Sequence, residues 1–245
     1  MSIAENLATI RNRMAAAAAK AHRRPEEIVL MAVSKTHSAD RIREACAAGQ
    51  RLFGENRVQE FSLKMPALAD LTEAEYHMIG HLQTNKSAKA AELFASVDSL
   101  DSLKLAERLN AAARERNKTL DVLIEINVGG EAAKTGIAPD SEELEKLLQA
   151  APRLEALKFC GFMTVPPFTD DPEDARPYFR QLRDLRDTIA GRKLSAVEIT
   201  ALSMGMSHDF EIAIEEGSTC VRVGTAIFGK RQIISLQSQK DAENT

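Results

Sequence analysis

The segment VLMAVSKTHSAD, residues 29–40, decides how the chain is organised. Val29 to Ser34 suit a fully buried strand and run straight into Lys35; a turn cluster follows, and a helical pattern starts near Asp40. An apolar run that passes through a short turn into a helix is one βα unit of a parallel sheet. The lysine poses a separate question, because Lys is among the residues least often buried without a partner. Either it snorkels to solvent or its amine is used.

The same unit recurs along the chain. Strand-like runs lie at 28–34, 51–54, 76–80, 94–98, 121–127, 157–163, 197–202 and 219–223, with helical patterns between them at about 40–49, 56–69, 84–92, 101–116, 140–151, 172–190 and 207–216. A further amphipathic helix over 2–22 precedes the first strand. Its Ser2 and Glu5 form a capping-box pair, and Ile3, Leu7, Ile10 and Met14 keep the helical period. Eight strands alternating with helices predict an α/β fold, a single closed (β/α)8 barrel of the TIM type with an extra N-terminal helix. The second strand is short and the fourth weak, so seven is the other count. No G-x-G-x-x-G loop follows the first strand, which counts against a dinucleotide-binding sheet. One domain is expected over 1–234, followed by a polar tail over 235–245.

Thirty-two basic and 36 acidic residues leave a net charge of −4, so no chain-wide positive field draws in nucleic acid. The cysteines Cys46, Cys160 and Cys220 are far apart and follow neither a disulfide nor a zinc pattern; packing accounts for them. The start, MSIAENLATI, is not a signal peptide, and no 18-residue apolar run is present. A cytoplasmic protein without membrane contact is the expectation.

In such a barrel the working face lies at the C-terminal ends of the strands. The residues expected there are Lys35, Asn56, His81, Asp98, Asn127, Met163 with Thr164, and the segments LSMGMSHD (202–209) and RVGTAIFG (222–229). Ser203, Gly205 and Ser207 offer hydroxyls and close backbone approach, and Gly224 and Thr225 offer N–H groups and another hydroxyl at a short helical turn over 225–229. The loops after strands seven and eight are where barrels often bind phosphate; ordinary turn chemistry is the alternative.

A primary amine, a phosphate cradle across the barrel mouth and no metal cluster together suggest pyridoxal 5′-phosphate, whose aldehyde condenses with lysine while its phosphate anchors the other end. A partly apolar wall of Met31, Val33 and Met204 would disfavour the charged amine and help the imine to form. Arg222 stands two residues before Gly224 and points inward, placed to donate to the pyridine nitrogen. Arg keeps its proton, so that nitrogen would stay unprotonated and the ring would be a weaker electron sink. The structural alternative is an interior Arg paired with Glu125 or Glu198.

With these residues assembled, the chain resembles the YggS/PROSC family of pyridoxal-phosphate-binding proteins. The segments that carry the likeness are AVSKT (32–36), FGENRVQE (53–60), HMIGHLQTNK (77–86), GFMTVPP (161–167), LSMGMSHDFEIAI (202–214) and VRVGTAIFG (221–229). The resemblance implies a single-domain barrel similar to the N-terminal domain of alanine racemase, with the cofactor held as an internal aldimine on Lys35. It also implies a role in vitamin B6 and amino-acid homeostasis without robust turnover. By the same resemblance, phosphate contacts fall to Ser203 or Ser207, Gly224 and Thr225, the pyridine nitrogen to Arg222, and Asn56 lines the pocket.

Two readings separate here: a carrier or regulator that holds the cofactor reversibly and exchanges it with apo enzymes, and an amino-acid racemase. Racemisation needs a base on each face of the α-carbon. Tyr76 and Tyr178 are the only tyrosines; one is expected at a strand start and the other inside an outer helix. His81 and Lys134 are the remaining candidates for a second base. A phosphosugar-binding barrel enzyme explains the loops but leaves Lys35 unused. The carrier reading, in a monomer, is the expectation.

Overall fold

The computed structural model describes residues 1–131 and 135–229; Lys134 and the expected tail over 235–245 lie outside them. Eight parallel strands close into a barrel in sequential order: β1 (Val29–Val33), β2 (Leu52–Glu55), β3 (Glu75–Met78), β4 (Ser96–Leu100), β5 (Leu120–Glu125), β6 (Leu157–Met163), β7 (Val197–Ser203) and β8 (Cys220–Val223). The helices are α1 (Ile3–Lys20), α2 (Ala39–Ala47), α3 (Val58–Lys64), α4 (Ser87–Leu93), α5 (Leu103–Arg114), α6 (Glu142–Ala150), α7 (Arg176–Gly191), α8 (Phe210–Glu215) and the single turn α9 (Thr225–Phe228). The short second strand is a full member of the ring, so the count is eight. Among the described residues no helix is long and apolar enough to cross a membrane.

Alternation along each strand sorts side chains between the barrel interior and the helix layer. Leu30 and Ala32 of β1 join the large apolar cluster under the helices. Met31 turns the other way: a Cβ built on Gly54 would lie 2.8 Å from its sulfur. In the outer layer Phe53, Phe61, Tyr76 and Phe94 stack in series, with ring centroids 4.6–5.7 Å apart; each buried ring contributes roughly 1.5–3 kcal/mol.

The N-terminal helix has both bonds of its capping box. It packs on α8, α9 and α2, the place where a full helix after β8 would lie in a complete βα ring. Asn6 Nδ2 donates to the Ile227 carbonyl at 2.8 Å, and Arg13 grips Glu211 through two bonds of 2.8 Å. The helix expected as an addition therefore completes the outer ring.

Two expectations need correction. Asp98 was expected at a strand end, but β4 starts at Ser96 and continues to Leu100 because Phe94 ends α4. Asp98 is consequently buried inside the barrel. The loops after β7 and β8 were expected across the mouth from Lys35. Ring closure instead sets β8 directly beside β1, with Val29 opposite Cys220 and Met31 opposite Arg222.

Candidate active rim

Lys35 occupies the turn that follows β1 and is half-buried. The Ser34 N–H donates to the Gly54 carbonyl at 3.0 Å, carrying the β1–β2 pairing beyond Val33 opposite Gly54. Continued by two residues, that register sets Lys35 beside Asn56. Thr36 is left-handed with φ 66°, an uncommon state for a β-branched residue. On the other flank, the His37 ring stacks on Phe228 of α9 with centroids 4.9 Å apart. Gly224 meets Val33 so closely that a Cβ there would lie 3.3 Å from the Val33 carbonyl oxygen.

The loop after β7 is shaped by Gly205 and Asp209. Gly205 has φ 92°, and a Cβ would lie 2.5 Å from that of Ala213. Asp209 is buried and its Oδ1 accepts the Met206 N–H at 2.6 Å; burial raises its pKa against that bond. The backbone N–H groups of Gly205, Ser207 and His208, and those of Gly224 and Thr225 in the next loop, have no hydrogen-bond partner among the described residues. The hydroxyls of Ser207 and Thr225 are also without one. Successive open N–H groups with hydroxyls beside them make an anion cradle. Ser203 is placed differently, since its hydroxyl and carbonyl both accept from Arg222. Met204 is fully buried in the apolar cluster under the helices and donates its N–H to the Cys220 carbonyl, so it is not part of the wall expected beside Lys35.

Arg222 is 4% exposed. Nη1 donates to the Ser203 carbonyl at 2.6 Å and hydroxyl at 2.8 Å, and Nη2 donates to the Thr164 carbonyl at 2.7 Å. Nε makes no hydrogen bond among the described residues. Burial lowers its pKa from the ordinary arginine value, yet an arginine keeps its charge. The ion pair weighed for it does not form: Glu125 acts on it only through space and Glu198 is exposed. Three oxygens at the ends of β6 and β7 replace a carboxylate.

Asn56 carries the sharpest sign of an absent partner. Its Oδ1 is buried and unpaired, one of two such side-chain atoms among the described residues, the other being the Tyr76 hydroxyl. An unpaired buried acceptor is costly, and a donor arriving at this rim relieves it. An orphaned amide, two open loops and an amine on neighbouring strands fit a phosphorylated aldehyde. His81 stands farther round the rim, exposed, with Nδ1 3.0 Å from Asp101 Oδ2. Both tyrosines pack in the outer layer.

Reading the sequence missed two polar residues and the role of a third. Thr164, expected at the rim, serves Arg222 through its carbonyl, a role that carries no side-chain signal. His77 lies inside the barrel with Nδ1 3.2 Å from Asp98 and Nε2 2.8 Å from Glu75; its place between the outward Tyr76 and Met78 was the available clue. Glu55 is fully buried against Lys64 and Ser34, and an acid closing an apolar strand nine residues before a helical lysine could have shown it.

Residues 3–232 match the family model of the alanine racemase N-terminal domain. The pyridoxal phosphate homeostasis protein of Aquifex aeolicus (strain VF5) is 45% identical over 232 residues, covering 95% of this chain and all of that one. The protein of that name from Escherichia coli (strain K12) is 45% identical over 231 residues, covering 94% and 97%. Among solved structures, PipY of Synechococcus elongatus PCC7942 with PLP bound superposes with a TM-score of 0.81 at 37% identity, covering 93% of this chain and all of that one. With the barrel, the rim and these likenesses in hand, the chain belongs to the alanine racemase N-terminal domain family, in its group of pyridoxal phosphate homeostasis proteins.

Proposed function

We propose that the chain binds pyridoxal 5′-phosphate at the rim formed by β7, β8, β1 and β2, with its aldehyde as an imine on Lys35, and that it serves the homeostasis of this cofactor. The observation that carries the reading is the contiguity of Lys35, Asn56, Arg222 and the open loops around Ser207 and Thr225 on four successive strands. When bound, the cofactor supplies a reactive aldehyde and a conjugated ring. The N–H groups of Gly205, Ser207, Gly224 and Thr225, with the two open hydroxyls, hold its phosphate. Arg222 offers Nε–H to the ring nitrogen without giving up its proton, and Asn56 gains a donor for its buried oxygen.

Holding rather than turnover is the reading these residues favour. Tyr76 and Tyr178 lie in the outer layer, and the barrel-floor acids already bind His77. A ring facing a guanidinium is a weak electron sink, which suits a reservoir that hands the cofactor to apo enzymes. The protein acts as a cytoplasmic monomer in this proposal.

The test is absorbance of the full-length chain with added cofactor, followed by borohydride trapping and mass mapping. A visible imine band and a reduced adduct on Lys35 are expected; a colourless protein defeats the reading. Transfer is tested by mixing the loaded chain with an apo pyridoxal-phosphate enzyme, where recovery faster than with free cofactor is expected. Rapid α-deuteration with inversion of single-enantiomer amino acids would establish the racemase instead.

A further inference from the structure

Behind the Lys35 turn lies a charged cluster that the cofactor reading does not use. Glu55, the last residue of β2, is 0% exposed. Lys64 at the end of α3 reaches back to it, with Nζ 3.0 and 3.2 Å from the two carboxylate oxygens. The same ammonium donates to the Ser34 carbonyl at 3.2 Å and pairs with Glu60 at 2.7 Å. Glu55 also accepts the Ser34 hydroxyl at 2.7 Å, and Glu60 accepts the Thr36 N–H at 2.6 Å. Both residues flanking Lys35 are therefore held by one group of three charges.

Burial on this scale needs a reason beyond stability. A buried ion pair roughly breaks even against apolar packing, so its benefit is sought in what it fixes. Here it fixes a turn that the backbone resists, because Thr36 sits at φ 66°, a state that costs a non-glycine residue about 1 kcal/mol or more. Without the Glu60 acceptor the Thr36 amide is released, and the turn relaxes toward ordinary φ. That relaxation swings the Lys35 side chain relative to Asn56 and Gly224.

We propose that the Glu55–Lys64–Glu60 group is a positioning device that locks the Ser34–Thr36 turn so that the Lys35 amine faces the rim. The proposal rests on Lys35 being the amine that takes the cofactor. Its three members act through Lys35 and touch no ligand. Lys64 is the link, since it alone joins both acids to the backbone of the turn.

The experiment uses the full-length chain and follows imine formation by stopped-flow absorbance with pyridoxal phosphate. The fraction trapped on Lys35 by borohydride and the melting temperature without cofactor are read in parallel. Glu60→Ala removes the acceptor of the Thr36 amide at a half-exposed site and is expected to slow imine formation about tenfold. Glu60→Gln keeps an oxygen there and is expected to recover the rate to within about twofold of the unaltered chain. Lys64→Met is paired with Glu55→Gln, so that no lone charge is left buried and the barrel folds; this double variant is expected to lose more rate than Glu60→Ala. If Glu60→Ala forms its imine at the unaltered rate, or loses only melting temperature, the positioning role is overturned. If the unaltered chain never colours, the Lys35 reading itself has failed and this proposal falls with it.

Discussion

Between β5 and β6 the ladder registers from Leu120 opposite Leu157 to Glu125 opposite Met163, whereas β7 and β8 register at Ser203 opposite Cys220 alone. The first region is a tightly laced wall. The second is a seam, and Arg222 crosses it with bonds to Ser203 and to Thr164 on the strand beyond. The difference teaches where a barrel can afford a binding rim. Backbone N–H groups spent in a ladder cannot receive an anion, and the proposed cradle lies where the ladder is thin. Three backbone bonds still cross the seam, between Thr219 and Leu202, Met204 and Cys220, and Arg222 and Gly205, and the side chain of the buried arginine adds to them.

The sharpest break in this comparison is Lys35→Ala. It is expected to abolish the imine band and the borohydride adduct while the chain still folds, because in the proposed function this half-buried amine beside the seam carries the aldehyde. Next comes a pH effect on the barrel floor. Burial pulls the His77 imidazolium down, but Asp98 and Glu75 outweigh it and hold the ring charged, its pKa pushed up to about 10 from 6.5. The folded value is the higher one, so this stabilisation is fully present below about pH 6.5 and is lost as pH rises through about 10. The unfolding free energy from urea titrations should fall by an amount on the order of a few kcal/mol between neutral and alkaline pH, and His77→Gln should flatten that slope.

Two substitutions then test the seam against the neighbouring β6–β7 ladder. Arg222→Leu strands the buried Thr164 carbonyl and takes a donor from Ser203, whose carbonyl keeps the Thr164 N–H; it is expected to cost about 2–3 kcal/mol, together with weakened cofactor binding. Gly161→Ala places a Cβ 2.0 Å from the Ala201 carbonyl oxygen, at the irregular step of the β6–β7 ladder. It is expected to cost about 2 kcal/mol of stability while leaving Lys35 chemistry intact in the folded fraction. Smallest is Tyr76→Phe, which removes an unpaired buried hydroxyl and should raise stability by up to about 1 kcal/mol in the same unfolding assay. A loss there would mean that the hydroxyl has a partner after all.

Much of this fold is legible because apolar runs and helical periods are strong signals. The β1 segment, the capping box of α1 and the short turn after Gly224 all stand where the residues place them. What escapes is set by closure. Nothing in residues 202–229 announces that their loops adjoin Lys35 rather than face it, since neighbourhood across the first and last strands exists only in the closed ring. The displacement of β4 by two residues, which sends Asp98 inside, follows from the packing of Phe94 and not from local propensity. Arg222 was placed inward, and carbonyl and hydroxyl oxygens stand where the acid weighed as its alternative partner would be, because strand ends leave such groups free. The Glu55–Lys64 contact joins strand to helix through a turn, and composition alone says nothing of it.

The N-terminal helix that fills the last gap in the outer ring has a consequence for how the chain matures. Asn6 bonds to Ile227, so the first helix finds its permanent seat only after α9 has emerged. Such a distant contact makes for slow final assembly. The rim straddles this late junction, with Lys35 on one side and Gly224 on the other. A chain halted before β8 therefore has Lys35 without the loops that the proposed site needs beside it, and the proposed capture of the vitamer reports that the ring has closed.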